Sequence, residues 1–334
     1  MTIRDIARES GYAVSTVSRV LNNHPEVSPE AKKHIEEIVS RHGFVPNNNA
    51  RQLKAQQPSG ILILVKGAFN SFFAAILERI QLDISSAGYS AEVHYIDEDA
   101  DELLVSEQLI RERKPLGIIY LGGSVDGFKA RFKHISVPCV LATTVSQALN
   151  FKNLSQVGVD DEKAGADACS FLLENNHRRI AVIGGRVEMS YISKLRLDGF
   201  KSAYKAATNE EFDDKYYQHA SFNLESGYKA MNKLLARCKD ITAVFCMSDI
   251  LAIGAKRAIT EAGLKIPEDI SILGFDGISL TRFCTPSLCT LMQPQQEIAQ
   301  TSVKLLLAQI TGGEKAQTVI MNAVVESGES VAKL

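Results

Sequence analysis

The sequence predicts an α/β protein: a small helical N-terminal head followed by a two-lobed core of parallel sheets. Three observations predict it. Residues 1–55 carry short amphipathic helix patterns. After the Pro58-Ser59-Gly60 break come two tandem series of unbroken apolar runs, each alternating with a helical pattern. Strands buried on both faces read this way, so each series implies a parallel sheet covered by helices. Finally, 334 residues, 45% of them hydrophobic and 23% charged, suffice for a small domain plus a large one.

The head comes first. Thr2 to Asp5 is a [ST]-x-x-[DE] helix start; Ile3, Ile6 and Ala7 form one apolar stripe, and Gly11 supplies the turn. In a second short helix Val17, Val20 and Leu21 face inward, leaving Val14, Ser15, Ser18 and Arg19 outside. Two small helices joined by a glycine turn let the second enter a major groove, so double-stranded DNA is the predicted partner. A third helix starts at Ser28 as N-cap, with Pro29 at its first position and Glu30 in its first turn. It buries Ala31, Ile35, Ile38 and Val39 and stops at Gly43. The stretch 46–58 then holds Arg51, Lys54 and one large apolar residue, Leu53, with no acidic residue. It is too short for a stable helix alone. It reads either as a polar linker or as a segment that folds on DNA and inserts Leu53 between base steps of the minor groove.

In the core, strands are predicted at Ile61–Val65, Ala91–Ile96, Gly117–Leu121 and Val137–Ala142, with helices at about Phe72–Ala87 and at Asp101–Lys114. The second series begins at Val157-Gly158-Val159. It continues through helix Lys163–Asn175, strand Ile180–Ile183, a helix around Arg196–Ala207, strand Ala243–Cys246, helix Asp249–Ala262 and strand Ile270–Gly274. The cleft between two such lobes, at the carboxyl ends of the strands, is the expected ligand site.

A net charge of −2 excludes a uniformly basic nucleic-acid coat, so positive charge must be local. The first 57 residues lean modestly basic, with Arg4, Arg8, Arg19, Lys32, Lys33, Arg41, Arg51 and Lys54 against Asp5, Glu9, Glu26, Glu30, Glu36 and Glu37. That small excess predicts a homodimer, which accumulates enough phosphate contacts. No apolar run approaches a membrane span, and Arg4 and Asp5 interrupt any signal-peptide core, so a cytoplasmic location away from membranes is expected. The six cysteines show no C-x-x-C pairing, and His94, His134, His177 and His219 have no metal-ligand spacing; no metal or cofactor is expected. An enzyme on the same scaffold is disfavoured. No G-x-G-x-x-G follows the first strand, no P-loop occurs, and Gly122-Gly123 and Gly184-Gly185 read as strand-to-loop turns. A solute-binding protein would share the core but not the head.

Several spaced motifs occur together: Thr16-Val17-Ser18-Arg19-Val20-Leu21-Asn22, Val27-Ser28-Pro29, Gly43-Phe44-Val45-Pro46-Asn47 and Ala50-Arg51-Gln52-Leu53. Through them the chain resembles the lactose/galactose-repressor family of bacterial transcription regulators. The resemblance extends through His177-Arg178-Arg179-Ile180, Leu195-Arg196-Leu197-Asp198-Gly199-Phe200, Ser248-Asp249, Pro267-Glu268-Asp269-Ile270, Gly274-Phe275-Asp276 and Thr285-Pro286. It implies a three-helix headpiece over 1–46, a hinge helix and linker over 47–59 that pairs in the minor groove at the centre of a palindrome, and an effector-binding and dimerisation core over 60–334. That core resembles a periplasmic binding protein whose chain crosses between lobes three times. The N-lobe is expected at about 60–158 and 290–318, the C-lobe at about 159–289 and 319–334. One departure is Tyr12-Ala13 where the family has Val-Ser. Alanine cannot cap a helix as serine does, which costs about 0.5–2 kcal/mol and predicts a shifted or looser start to the second helix.

The DNA-contacting residues implied are Thr2, Val14, Ser15, Thr16, Ser18, Arg19, Asn22 and Ser28 in the head, and Asn47, Ala50, Arg51 and Leu53 in the hinge. In the core, Phe72 and Phe73 fall where the family carries Asn-Pro-Phe-Phe, and either stack on a ligand or belong to the core. Arg196 and Asp276 match positions that bind polar ligand groups, or else form a salt bridge between the lobes. Phe222 matches a stacking ring of a purine-responsive member; Ser190, Tyr191, Ser248 and Asp249 complete the set. Thr143 and Ser248 replace the aspartate and asparagine of many sugar-sensing members, which argues against a simple hexose and leaves sugars, sugar derivatives and nucleobases as effector classes.

Overall fold

The computed structural model describes residues 2–21, 27–42, 60–67 and 70–334. The chain divides into two compact units, Met1–Pro58 and Ser59–Leu334.

In the first unit, helices α1 (Ile3–Ser10), α2 (Val14–Leu21) and α3 (Pro29–Arg41) enclose Ile6, Val17, Val20, Ile35 and Ile38. The Thr2 hydroxyl accepts from the Asp5 amide and the Thr2 amide donates to the Asp5 carboxylate, closing the capping box. Gly11, at φ +72°, turns the chain toward α2. That helix starts at Val14 with no shift. The Ala13 carbonyl accepts from Thr16 and Val17, so the missing serine removes a cap without displacing the first turn. Ser28 caps α3, accepting from Ala31, with Pro29 behind it.

The second unit holds two six-stranded sheets. The first uses β1 (Gly60–Lys66), β2 (Ser90–Ile96), β3 (Gly117–Leu121), β4 (Cys139–Ala142), β5 (Leu154–Val159) and β11 (Thr318–Met321) in the order β11-β5-β4-β3-β1-β2. The second uses β6 (Ile180–Gly184), β7 (Tyr217–His219), β8 (Ala243–Cys246), β9 (Ser271–Asp276), β10 (Cys289–Met292) and β12 (Val324–Glu326) in the order β12-β10-β9-β8-β6-β7. Every recorded pairing is parallel except β10 with β12. The central strands are buried from end to end, and the edge strand β2 is half-exposed, as sheets covered on both faces require. Helices α4 (Ser71–Ser86), α5 (Glu102–Arg113) and α6 (Val125–Arg131) cover the first sheet together with α11 (Gln295–Gly312). Helices α7 (Asp161–Glu174), α8 (Tyr191–Thr208), α9 (Leu224–Arg237) and α10 (Asp249–Glu261) cover the second.

The chain crosses between the sheets after β5, after β10 and after β11. The last two crossings fall a few residues beyond Thr290 and Thr318, because β10 pairs with β9 up to Met292 and β11 with β5 up to Met321.

Candidate functional site

A cleft of about 530 Å³ opens at the carboxyl ends of both sheets, a size suited to a small ligand. The C-lobe wall is set by the contact of α7 with α8. A Cβ on Gly165 would lie 2.0 Å from the Arg196 carbonyl oxygen, and one on Gly199 would lie 1.8 Å from that of Glu162. Only glycine allows the two backbones this close. The approach brings Asp161, at the start of α7, to Arg196: Nε donates to Oδ1 at 2.8 Å, and Nη1 donates to the Met247 carbonyl at 2.7 Å. The guanidinium also lies 3.7 Å from the centre of the Phe275 ring. Arg196 is 3% exposed and its bound carboxylate lies in the same lobe, so the interlobe Arg196–Asp276 salt bridge is corrected to an Arg196–Asp161 pair.

Asp276 ends β9 beside this pair. Burial pushes its carboxyl up to about 7 despite the opposing pull of the Arg196 charge. Gln293 Nε2 donates to Asp276 Oδ1 at 2.8 Å, and Gln293 Oε1 is buried with no hydrogen-bond donor.

On the N-lobe wall, the Asn70 side chain caps α4, accepting from the amides of Phe72 and Phe73. The Phe73 ring covers Gly122, whose absent Cβ would stand 3.0 Å from it. Phe72 is only 3% exposed, and its ring belongs to the core with Ile76 and Ile80. Both residues border the cleft, and Phe73 is the ring more open to it. Lys66, at the end of β1, donates to Glu102 Oε2 at 2.6 Å, while the Ser124 amide donates to Oε1 at 2.5 Å.

Tyr191 spans the lobes. It opens α8, yet it packs against the N-lobe core, and its hydroxyl oxygen accepts from Ser146 at 3.2 Å. Ser190, Tyr191 and Phe222 line the cleft with Phe73, Arg196 and Asp276. Ser248 and Asp249 do not. Ser248 caps α10, accepting from Leu251. Asp249 is fully buried, its carboxylate accepting from the Ile278 amide at 2.9 Å and the Thr290 hydroxyl at 2.7 Å. Both are corrected to structural residues that fix the start of α10.

In the head, Val14, Ser15 and Arg19 are exposed on α2, Thr16 and Ser18 are half-buried, and Val17 and Val20 point inward. The hydroxyls of Thr2 and Ser28 already serve as helix caps. Asn22, Asn47, Ala50, Arg51 and Leu53 lie outside the described residues. Sequence reasoning passed over Lys66, Asp161 and Gln293. The available signal at Lys66 was a charge closing an otherwise apolar strand; Asp161 and Gln293 carried none.

Among the described residues, no helix is long and apolar enough to cross a membrane and no group of His, Cys, Asp or Glu could hold a metal ion. The model of bacterial regulatory proteins of the lacI family matches residues 2–47, and that of the periplasmic binding protein-like domain matches 142–331. The HTH-type transcriptional regulator MalR of Clostridium butyricum is 37% identical over 334 residues, covering 98% of each chain. The HTH-type transcriptional repressor CytR of Escherichia coli K12 is 33% identical over 93% of this chain and 90% of its own. A LacI family regulator from Enterococcus faecium, solved with bound ribose, superposes with a TM-score of 0.71 at 28% identity, over 82% of this chain and 99% of its own. These relatives are named as regulators and repressors, not enzymes. With a helix-turn-helix head, a two-lobed core and relatives matched along nearly its whole length, the chain belongs to the lacI family of bacterial regulatory proteins and is a transcription regulator.

Proposed function

We propose that this regulator is a cytoplasmic repressor that binds a two-fold symmetric DNA operator as a homodimer. A small metabolite (a sugar, sugar derivative or nucleobase) held between the core lobes alters that binding. The observation that carries the reading is the cleft itself, where Phe73, Phe222, Arg196 and Asp276 bring aromatic faces and polar groups to one space. A ring on each wall suits the faces of a flat or ring-shaped ligand, and a buried, held arginine suits its polar groups.

On the DNA side, Val14, Ser15 and Arg19 are assigned to base edges in the major groove, with Thr16 beside them. Thr2, Ser18, Asn22 and Ser28 are assigned to phosphates. The sequence-based assignment of Asn47, Ala50, Arg51 and Leu53 to the minor groove is kept with it. A ligand shifts affinity only by favouring one arrangement of the lobes over another.

The test is a fluorescence-anisotropy titration of the full chain against DNA from the promoter of its own gene, with unrelated DNA as competitor. Specific binding at least tenfold tighter than to the competitor supports the reading. Equal affinity for both would overturn it.

A further inference from the structure

We propose that Lys66 is a specificity-determining residue of the cleft, contacting a hydroxyl of an uncharged polyhydroxy ligand, and that the cleft rejects the phosphorylated or carboxylated form of that ligand. The inference deepens the proposed function and rests on the cleft being the effector site.

The argument begins with cations. Lys66, Lys194 and Arg196 are the lysines and arginines lining the cleft among the described residues. Each already has a carboxylate of its own: Glu102 for Lys66, Asp198 for Lys194 and Asp161 for Arg196. None of those three carboxylates belongs to the lining, whereas Glu98 and Glu188 do, together with Asp126, which is paired with Lys129, and Asp276, which burial holds largely in its neutral form. The space therefore faces paired cations and two further acids, Glu98 and Glu188. A phosphate dianion entering it would lose its hydration and gain no unmatched positive charge. Like charge set against an unwanted ligand is an effective means of discrimination.

Of the three, Lys66 is the one on the N-lobe wall, and it is held firmly there. Its side chain is 17% exposed, and its partner Glu102 is 3% exposed. The second oxygen of Glu102 is held by the Ser124 amide, so the carboxylate cannot swing away to free the ammonium. An ammonium has three donors and the carboxylate takes one, which leaves others for a neutral acceptor such as a hydroxyl. A fixed, charge-compensated donor of this kind recognises hydroxyls and gives no net attraction to anions.

The test measures thermal stabilisation and calorimetric affinity of the full chain with matched neutral and anionic probes. The pairs are glucose with glucose 6-phosphate and glucuronate, ribose with ribose 5-phosphate, maltose with maltose 1-phosphate, and adenosine with adenosine monophosphate. The expected result is binding by a neutral member and at least tenfold weaker binding by its anionic form. Lys66→Met should weaken the neutral probe at least tenfold. Glu102→Gln, which keeps an acceptor for the Ser124 amide but uncovers the ammonium, should move relative affinity toward the anionic form. If Glu102→Gln fails to fold, Lys66→Met and the unaltered protein still decide the matter. An anionic probe that binds as well as its neutral partner, or a neutral affinity untouched by Lys66→Met, would overturn the proposal while leaving the cleft an effector site. Binding by no probe would overturn it together with the reading on which it rests.

Discussion

Thr143 and Asp276 occupy the same place in the two lobes. The sheet orders correspond strand for strand, so β4 stands in the first where β9 stands in the second. Thr143 follows the last residue of β4 and Asp276 is the last of β9, and both line the cleft. Both have positive φ, +72° and +113°, which side-chain-bearing residues rarely adopt and which costs about 1–3 kcal/mol each. The surroundings hold them there. The Thr143 amide donates to the Val157 carbonyl at 2.7 Å, while the Gln293 amide and Gln295 Nε2 both donate to the Asp276 carbonyl. Strain of this kind gathers where a backbone must present groups to a ligand.

Relieving it at Thr143 should be measurable. Asparagine tolerates positive φ better than a β-branched residue. Thr143→Asn is expected to raise the melting temperature by roughly 2–4 °C, corresponding to about 1 kcal/mol. Thr143→Val, equally branched, should not raise it. Calorimetry in which both variants behave alike would show that the backbone at this position is unstrained.

The raised carboxyl of Asp276 gives stability a definite pH dependence. Its ordinary value is 3.8, so between about pH 4 and 7 the folded chain holds a proton that the unfolded chain releases. Stability from this group is therefore fully present below pH 4 and is lost as pH rises toward 7. Asp276→Asn removes the loss. Relative to the unaltered protein, the variant should gain on the order of 2 kcal/mol between pH 5 and 7. Urea melts at the two pH values check this, and parallel curves for the two proteins would contradict it.

Much of this was legible in the sequence, and the rest was hidden for physical reasons. Apolar runs such as Ile61–Val65 and Ile180–Ile183 located the sheets because parallel strands are buried on both faces. Helix α9 carries Ala230, Met231 and Leu234 at helical spacing and could have been found, but it was passed over. The strands β7 and β12, of three residues each, are too short for any periodicity to show. At the site, family motifs pointed to Arg196 and Asp276, but not to which carboxylate Arg196 would hold. Asp161 reaches it only because Gly165 and Gly199 let two helices touch. Such a contact between residues far apart in sequence has no local signature. Ser248-Asp249 matched a motif as well, yet the carboxylate is consumed by Ile278 and Thr290, a fact of tertiary hydrogen bonding.

The Arg196–Asp161 pair should make stability and ligand response inseparable at Arg196. Removing one partner of a buried pair strands the other charge, at about 3–5 kcal/mol. Arg196→Ala and Asp161→Ala are each expected to lose that much. Arg196→Met with Asp161→Leu, which removes both charges of the pair, should recover most of it without restoring any ligand effect. Denaturant titration separates the outcomes, and full stability in either single variant would count against a structural pair.

Tyr191 offers a test of lobe placement. Its contact with Ser146 joins α8 of one lobe to the loop after β4 of the other. Tyr191→Phe removes the acceptor for the Ser146 hydroxyl and should cost about 0.5–1.5 kcal/mol. Tyr191→Ala also removes the ring packed against the N-lobe and should shift the lobes toward a more open average. Small-angle scattering of the full chain would register this as a larger radius of gyration, whereas an unchanged radius would mean that Tyr191 does not set lobe separation.

The last prediction concerns DNA. Arg19 lies exposed in the last turn of α2, one turn on from Ser15, and Val17 and Val20 fix that face outward by burying the opposite one. An arginine so placed pairs with guanine O6 and N7 through two hydrogen bonds. Arg19→Ala should therefore cost about 1–3 kcal/mol on the preferred operator and almost nothing on operators altered at the base it reads. Ser28→Ala behaves differently, because Ser28 is a cap for α3 and a candidate phosphate contact. It should weaken binding to every sequence alike and lower the melting temperature of the head. Anisotropy titrations over a set of single-base operator variants distinguish the two. Equal losses across all operators for Arg19→Ala would assign it to the phosphate backbone and leave sequence reading to Val14 and Ser15.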